Sequence, residues 1–293
     1  MSKTTYHSEY LKLASVYIKL AKDAFVSDAE LTTQWQELNY LSRPDFDESM
    51  KEYKAFEELF KASKIELKYF PQDAAVKIDS VYCRDASIAT DFGMIICNMG
   101  KGGRVNEPQS QKLEYLKNNI SILCEITAPG TLEGGDVAWL DEKTLAVGHT
   151  YRTNEEGIKQ LKQCLEPNGI EVIIVELPHY KGKEDVFHLM SILSPVDKDL
   201  AVVYSPLMPI KFRNELLNRG FKLIEVPEEE FESMGCNVLA IAPRKCIMVN
   251  RNPKTKQLLE AAGCEVSAYK GGEISVKGGG GPTCLTRPLL RTF

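Results

Sequence analysis

The chain has 293 residues, of which 43% are hydrophobic and 26% are charged, and its formal net charge is −5 at pH 7. This composition is typical of a soluble globular protein of one large or two ordinary domains. The acidic balance argues against nucleic acid or an acidic membrane as a partner. Because no apolar run is long enough for a membrane span and no signal-type segment follows the first residues, we expect a cytoplasmic protein.

The cysteines have no recognisable spacing. Eight of them are scattered along the chain, at positions 83, 97, 124, 164, 236, 246, 264 and 284. The sequence contains neither a C-x-x-C nor an H-x-x-x-H pattern, although disulfide scaffolds and zinc sites usually depend on such spacings. The sequence therefore predicts free thiols, without a disulfide framework and without a metal site.

The first elements form a strand, an irregular segment, a helix and a strand. Within residues 9–22, apolar and polar side chains alternate around Val16 to Leu20, as in a strand. Residues 23–46 are polar and aromatic without a clear period in their first half, and we interpret them as a possible lid or, alternatively, as a surface excursion. Apolar residues recur at spacings of three and four over residues 50–60, which predicts a helix. A second strand is predicted over residues 65–70.

The rest of the chain repeats one pattern of strand, turn, strand, helix and strand. The clearest copy has a hairpin over residues 137–148, a helix from Asn154 and a returning strand over residues 171–175. Thr153 and Glu156 have the spacing of a capping box for that helix. Other copies cover residues 87–126, 190–226 and 238–269, and the N-terminal segment fits as a fifth copy.

About five ββαβ units therefore follow one another at a period of roughly 45–50 residues. Because a unit of this size cannot bury its own sheet face, we expect the units to pack radially, with helices outside and a channel at the centre. A solenoid is the alternative arrangement. Residues 274–285 are predicted to be a strand that crosses back and completes the circle. The sequence thus predicts a single α/β domain over residues 1–293, a five-bladed propeller.

Four consecutive glycines, Gly278 to Gly281, precede Cys284 near the end of the chain. Glycine permits positive φ and lets other groups approach the backbone closely. The flanking sequence is strand-like, so we do not expect a flexible linker. A tight turn before a buried cysteine and a loop that presents a nucleophile remain open alternatives at this point.

Polar residues recur at equivalent ends of successive units. They are Asp79 and Asp85 before the second unit, Glu133 and Asp136 of an E-G-G-D motif before the third, His188 before the fourth, and Cys284 at the end. Taken alone, each of these residues is more simply explained as a solvated or structural residue than as part of a functional site. Their shared position in a repeat favours a common site on the axis.

These residue types also fit one chemistry. A cysteine needs a base or a positive neighbour to become a nucleophile at neutral pH. His188 can supply this help, and Glu133 can orient its imidazole. Asp79 and Asp85 are what a planar cationic substrate requires, because carboxylates pair bidentately with guanidinium groups.

The order of these motifs resembles the guanidino-group-modifying superfamily of penteins, and within it the dimethylarginine dimethylaminohydrolases. The resemblance extends over essentially the whole chain, and its most specific parts are E-G-G-D at 133–136 and G-G-x-x-C at 280–284. It implies a five-bladed α/β propeller that hydrolyses a guanidino carbon–nitrogen bond through a covalent cysteine intermediate. It also implies a small guanidino amino acid as substrate, citrulline as product and no metal or organic cofactor.

The resemblance gives each motif residue a role. Cys284 matches the nucleophile, His188 the general acid and base, and Glu133 the third member of the triad. Asp85 matches the acid that binds the guanidinium group, and Asp79 matches a second acid of the dimethylarginine branch.

Two arginines and three motif residues complete the predicted site. Arg104 and Arg152, each nineteen residues after an acid of the motifs, match arginines that hold the substrate α-carboxylate. Without the resemblance both would be ordinary surface charges. The resemblance therefore predicts an amino acid rather than a decarboxylated amine such as agmatine. The supporting residues are Asp136, Gly280 and Gly281.

Some positions depart from the family pattern and leave alternatives open. Met190 stands two residues after His188, where deiminases and amidinotransferases carry an aspartate, and this apolar neighbour suits an N-methylated nitrogen. By contrast, Arg84 and the glycine run resemble the dimethylarginine branch less closely. Arginine deiminase, amidinotransferase and a non-catalytic binding propeller remain alternatives, and we regard homo-oligomers through the outer helices as possible.

Overall fold

Five sheets of the same connectivity make up most of the computed structural model, which describes residues 3–293. In each of them the middle strand runs antiparallel to one neighbour and parallel to the other. One or more helices connect the middle strand to its parallel neighbour. The predicted ββαβ repeat is therefore confirmed, and the fold is mixed α/β.

The first sheet joins the two ends of the chain. A small accessory sheet contains β1 (Thr4–Thr5), β2 (Lys12–Leu13) and β18 (Arg291–Thr292). The first large sheet contains β3 (Ser15–Ile18), β4 (Glu66–Tyr69) and β17 (Thr286–Pro288). Its helices are α1 (Ala21–Phe25), α2 (Asp28–Gln34) and α3 (Phe46–Ala62). The final strand thus completes a sheet that the first residues of the chain begin.

The other four sheets follow one another along the chain. The second has β5 (Ser87–Thr90), β6 (Gly93–Ile96), α4 (Glu107–Lys117) and β7 (Ile122–Glu125). The third has β8 (Val137–Asp141), β9 (Thr144–His149), α5 (Glu155–Leu165) and β10 (Glu171–Glu176). The fourth has β11 (Leu193–Asp197), β12 (Leu200–Val203), α6 (Ile210–Asn218) and β13 (Lys222–Glu225), followed by α7 (Glu228–Phe231). The fifth has β14 (Leu239–Ala242), β15 (Lys245–Val249), α8 (Pro253–Ala261) and β16 (Glu265–Tyr269).

Neighbouring sheets share their hydrophobic cores. Buried side chains of the first and second sheets form one cluster, and those of the second and third form another. A larger cluster joins the third, fourth and fifth sheets. A further cluster contains Val16 of the first sheet together with Leu239 and Ile247 of the fifth. None of the helices in the described part of the chain is long and apolar enough to cross a membrane.

Residues 23–46 are more regular than the sequence analysis predicted. Most of the first half belongs to α1 and α2, and Leu31, Leu38 and Tyr40 are buried against the core that α3 also covers. The irregular sequence reflects the short length of the helices, since two turns cannot display a clear period. The possible role of this segment as a lid remains a prediction.

The predicted strand over residues 274–285 is wrong. Gly272–Val276 is one turn of π-helix, and the strand β17 begins only at Thr286. The buried carboxylate of Glu52 accepts hydrogen bonds from the backbone N–H groups of Glu273 (2.7 Å) and Ile274 (3.3 Å). These contacts from α3 satisfy backbone donors at the start of the turn, which a sequence pattern does not reveal.

The structure also corrects the predictions for α5 and for the cysteines. Asn154, not Thr153, is the N-cap of α5, and its side chain accepts a hydrogen bond from the N–H of Gly157.

Cys124 of the second sheet and Cys164 of α5 form a disulfide across 40 residues. The prediction of exclusively free thiols is therefore wrong for this pair, which the fold brings together from two separate units.

Candidate active site

Most of the predicted site residues meet around one cavity of about 160 Å³. Its lining includes Cys284, His188, Asp79, Asp85, Arg104, Arg152 and Gly280. Glu133 and Asp136 are fully buried behind the cavity, where Glu133 contacts His188 and Asp136 accepts the N–H of the next residue, Leu189. Gly281 is buried next to the loop that carries Cys284. The tertiary structure thus brings the separate sequence motifs into one place.

The glycine run is needed because two large side chains pack against it. A Cβ atom added to Gly280 would lie 2.5 Å from the ring of Tyr82. At Gly281 it would lie 2.5 Å from the side chain of Asn237. These distances are too short for any Cβ contact, so glycine lets the backbone approach Tyr82 and Asn237. The run is therefore a close-packed turn that presents Cys284 to the cavity.

The thiol of Cys284 is held by a neighbouring amide. Asn237 Nδ2 donates to Cys284 Sγ at 3.3 Å, while Asn237 Oδ1 accepts from the N–H and the hydroxyl of Thr283 at 3.0 and 2.8 Å. Burial and the nearby carboxylate of Asp85 raise the pKa of Cys284, and the hydrogen bonds from Asn237 and Thr283 lower it only in part. The free protein therefore carries a thiol here, which a cationic ligand would help to ionise.

His188 and Glu133 form a buried ion pair. His188 Nε2 lies 2.8 Å from Glu133 Oε2, and the other carboxylate oxygen accepts the N–H of Lys101 at 2.9 Å. Burial by itself would lower the pKa of His188, but the carboxylates of Asp136, Glu133 and Asp85 raise it to about 9. Burial would likewise raise the pKa of Glu133, but His188 and Arg152 lower it to about 2. At neutral pH the site therefore contains an imidazolium and a carboxylate.

Asp136 fixes the segment that carries His188. Its carboxylate accepts hydrogen bonds from the hydroxyls of Thr150 and Thr153, each at 2.7 Å, and from the N–H of Leu189 at 3.0 Å. Burial raises the pKa of Asp136 to about 6, although His188 and the two threonines oppose this shift. The bond of Thr153 to Asp136 also explains why this residue does not cap α5.

Asp85 has one oxygen directed to the protein and one that is available. Arg104 Nη1 donates to Asp85 Oδ2 at 2.5 Å, and the remaining nitrogens of Arg104 bind Glu107 and the carbonyl of Tyr82. Asp85 Oδ1 is buried and has no hydrogen-bond partner among residues 3–293. A Cβ atom at Gly135 would lie 2.7 Å from this oxygen and 2.5 Å from His188 Nδ1. The missing Cβ therefore leaves room for Asp85 and His188 side by side.

Asp79 is already paired with a cation of the chain. Lys101 Nζ lies 2.6 Å from Asp79 Oδ2 and donates to the carbonyl of Leu38 at 2.8 Å. Lys101 was not among the predicted site residues, and no feature of its local sequence identifies it. It connects the acid Asp79 to the segment that we interpret as a possible lid.

The two predicted carboxylate-binding arginines differ in their surroundings. The guanidinium of Arg104 is surrounded by Asp85, Glu107 and the Tyr82 carbonyl. Arg152 makes weaker contacts, with Nη1 at 3.5 Å from Glu133 and Nη2 at 3.4 Å from the carbonyl of Asp185. Arg152 is thus more available to a ligand than Arg104.

Three of these groups could also hold a divalent cation. Asp85, Glu133 and His188 each place one ligand atom within 4.8 Å of the others. Two oxygens and one nitrogen are a set that several metals accept. The same atoms are used in the ion pairs described above, so the geometry does not require a metal.

The chain is similar to known proteins over most of its length. A family model described as eukaryotic N,N dimethylarginine dimethylhydrolase matches residues 28–291. The N(G),N(G)-dimethylarginine dimethylaminohydrolase of Pseudomonas aeruginosa is 26% identical over 248 residues, which cover 85% of this chain and 91% of that protein. The arginine deiminase of Mycoplasma capricolum is also 26% identical, over 92% of this chain and 76% of the relative.

The fold is shared with solved structures. A citrulline complex of the Pseudomonas aeruginosa dimethylarginine dimethylaminohydrolase superimposes with a TM-score of 0.76 at 21% identity. The match covers 94% of this chain and 99% of that structure. At this identity the likeness establishes the common fold.

Proposed function

The chain belongs to the N,N-dimethylarginine dimethylhydrolase family, and on that premise we propose that it hydrolyses the guanidino carbon–nitrogen bond of an N-methylated arginine. The products would be citrulline and methylamine or dimethylamine. The carrying observation is that the Cys284 thiol and the available oxygen of Asp85 border one cavity, with the His188–Glu133 pair beside them. A nucleophile, an acid and a cation receptor are the groups this reaction requires.

The reaction begins when the substrate guanidinium binds Asp85 Oδ1. Its positive charge lowers the pKa of Cys284, and the thiol proton leaves to solvent. Cys284 Sγ then bonds to the guanidino carbon while His188 gives its proton to the methylated nitrogen, and the carbon–nitrogen bond breaks. The amine departs and a covalent thiouronium remains on Cys284.

The second half of the reaction returns the enzyme to its starting state. His188, now neutral, removes a proton from water, and the oxygen attacks the thiouronium carbon. The carbon–sulfur bond breaks as the added hydroxyl group loses its proton, which releases the neutral ureido product, and the sulfur takes up that proton to restore the thiol. Glu133 holds the imidazole in place during both proton transfers, and neither step needs a metal or an organic cofactor.

The α-carboxylate of the substrate would bind Arg152 first. Its contacts to Glu133 and Asp185 are long, so a carboxylate can compete for its donors. Arg104 would need to give up part of its contact with Glu107 to join it. Asp79 would contribute to guanidinium binding when Lys101 moves away, and residues 23–46 would then close over the site, since Leu38 lies at its edge.

Met190 favours a methylated substrate over plain arginine. Its buried thioether lines the cavity, where it offers the substrate an apolar surface and no charged acceptor. A methylated nitrogen has fewer N–H groups than an unmethylated one, so it gives up fewer hydrogen bonds to water when it binds against this apolar surface. Arginine deimination, which would use the same residues, remains the second candidate because arginine deiminases are among the relatives.

The proposal is tested by colorimetric detection of ureido products. Purified protein is incubated separately with asymmetric dimethylarginine, monomethylarginine, arginine and agmatine, and Cys284→Ser is the control. We expect citrulline from the methylated substrates and none from the variant, whose fold should be intact by circular dichroism. Turnover by Cys284→Ser would refute the mechanism.

The other outcomes distinguish the alternatives. Citrulline mainly from arginine would identify a deiminase. A product that appears only when glycine or another amine is added would identify an amidinotransferase. No product under any condition, with a folded protein that still binds arginine, would indicate a non-catalytic binding protein.

We further propose that the five sheets close into a five-bladed propeller in one domain. The cores shared by each pair of neighbouring sheets, and by the fifth and the first, support this arrangement. Assembly into homo-oligomers through the outer helices is supported by the exposed Leu113 and Leu116 of α4. A cytoplasmic location is supported by the six free cysteines. Disulfides such as Cys124–Cys164 are more common in oxidising compartments.

A further inference from the structure

Three buried arginines share a single carboxylate in the interior of the protein. Arg84 Nη2 lies 2.7 Å from Glu9 Oε1, and both side chains are at most 5% exposed. Arg287 and Arg291 are buried to the same degree and also act on Glu9: burial would raise its pKa, but the three guanidinium groups lower it. Arg84 also belongs to the lining of the cavity described above, whereas Glu9, Arg287 and Arg291 lie outside it. We call these four residues the arginine cluster.

The arginine cluster has more donors than acceptors. Arg287 donates to the carbonyl of Ser87 at 2.7 Å, and Arg291 donates to the carbonyl of Ala240 at 3.0 Å. By contrast, Nε and Nη1 of Arg84 and Nε and Nη2 of Arg291 have no hydrogen-bond partner anywhere in residues 3–293. Buried guanidinium nitrogens rarely lack a hydrogen-bond partner, because burial removes their hydrogen bonds to water and no new bond compensates for this loss.

The charges of the arginine cluster are also unbalanced. Three guanidinium groups face one carboxylate, which leaves a net charge of +2, and the Arg84–Glu9 contact is the only salt bridge that these arginines make with described residues. Burial, together with the positive charge of Arg84, lowers the pKa of both Arg287 and Arg291 to about 10. Water can accept the free N–H groups, but only a negative ion both accepts them and reduces the excess charge.

We propose that the arginine cluster is a binding site for a small monovalent anion of the halide class. A monatomic ion accepts N–H groups from several directions, which suits donors from separate parts of the chain, since Arg84 lies in the turn before β5 and Arg291 on β18. It would bind between Arg84 and Arg291 and stabilise the folded state, because the unfolded chain does not assemble the site.

The direct test is crystallography in bromide. Crystals of the full chain grown in sodium bromide are measured at the bromine absorption edge. An anomalous peak within hydrogen-bond distance of Arg84 and Arg291 is the expected result. Ordered water at these nitrogens without an anomalous signal would overturn the proposal.

The solution test compares Tm in sodium chloride and in sodium methanesulfonate at equal ionic strength. We expect chloride to raise the Tm of the wild-type protein by a few degrees, because an ion that binds only the folded state stabilises it. Glu9→Gln, which keeps the shape and makes the net charge +3, should show a larger rise. Arg291→Met should show almost none, whereas Arg213→Met, which removes a half-exposed charge on α6, should behave like the wild type.

Two results would contradict an anion site. One is equal Tm in both salts for the wild type and for Glu9→Gln. The other is an undiminished chloride effect in Arg291→Met, because this would be a general salt effect. If Arg291→Met does not fold, Glu9→Gln and the bromide crystal still decide the question.

Discussion

Each of the two predicted guanidinium-binding acids, Asp79 and Asp85, is already paired with a cation of the chain. Arg104 holds Asp85 and is itself held by Glu107, so this pair has a fixed geometry. Lys101 holds Asp79 through a flexible side chain that is 17% exposed. A planar guanidinium with two partners is hard to displace, whereas a single ammonium on a flexible stem exchanges its partners more easily. We therefore regard Lys101 as the residue that regulates access to Asp79.

Replacing Lys101 should change substrate affinity. Lys101→Met keeps the length of the side chain and removes the competing charge, so we expect KM for a guanidino substrate to fall by up to about tenfold, or 1.4 kcal/mol. Steady-state kinetics with citrulline detection measures this. Lys77→Met, which removes a lysine paired with exposed Glu37, is the matched control. A higher KM in Lys101→Met would mean that the ammonium itself binds the substrate.

The His188–Glu133 pair should make stability depend on pH. The folded state raises the pKa of His188 from 6.5 to about 9, so it favours the protonated imidazole. This contribution to the free energy of unfolding is fully present below pH 6.5 and is lost as pH rises through about 9, and it amounts to about 3 kcal/mol.

Urea unfolding of the wild type and of His188→Gln at pH 6.5, 8 and 9.5 measures this contribution. The difference between the two proteins should become smaller as pH rises. His179→Gln, which changes an exposed histidine, should follow the wild type at every pH. A difference that does not change with pH would contradict the predicted protonation of His188.

At the scale of elements, one helix is capped by a residue from another. Glu230 of α7 accepts hydrogen bonds from the N–H groups of Lys254 and Thr255, both at 2.8 Å, at the first turn of α8. The side chain of Asn252, the residue that precedes α8, donates to the carbonyls of Ser233 and Val249 instead. The start of α8 is therefore fixed by a contact between two units of the chain, and the carboxylate also suits the positive end of the helix dipole.

Removing this cap should lower stability more than removing its neighbour. Glu230→Ala leaves the buried N–H of Thr255 and the partly buried N–H of Lys254 without an acceptor, so the free energy of unfolding should fall by about 1–3 kcal/mol. Glu229→Ala removes only an exposed contact to Lys254 and should have little effect. Denaturant unfolding of both variants measures the difference, and equal losses would show that the cap contributes little.

At the scale of the whole molecule, the disulfide connects two repeats. Cys124 lies on β7 and Cys164 on α5, and neither residue lines the cavity. By closing a loop of 40 residues, the bond reduces the entropy of the unfolded chain. It should therefore stabilise the fold without affecting the chemistry of the site.

Reduction tests this role. Dithiothreitol should lower the Tm of the wild type. The loop entropy corresponds to a decrease of up to about 4 kcal/mol in the free energy of unfolding at 25 °C. Activity at 25 °C should not change. The double variant Cys124→Ala/Cys164→Ala should already have the lower Tm and should not respond to dithiothreitol. An unchanged Tm of the wild type under reduction would contradict a stabilising bond.

The sequence by itself determined the ββαβ repeat, most of its elements and the residue types of the site. Apolar residues that recur at spacings of two, or of three and four, mark the buried face of a strand or a helix. The hairpins and α3 could be predicted from these patterns. Cys284, His188 and Glu133 were identifiable because their motifs stand at equivalent ends of successive units. The roles assigned to these residues, to Asp79 and Asp85 and to the two arginines remain predictions.

Only the tertiary structure decided which groups meet. Lys101 reaches Asp79, Asn237 reaches Cys284 and Glu230 caps α8 through contacts between residues 22, 47 and 24 positions apart. The π-helical turn at Gly272–Val276 depends in the same way on Glu52 of α3. Hydrogen bonds of this kind have no periodic signature, because they depend on where distant backbone segments lie after the sheets have packed. The sequence therefore predicted the parts of the site, and the fold determined which charges are paired.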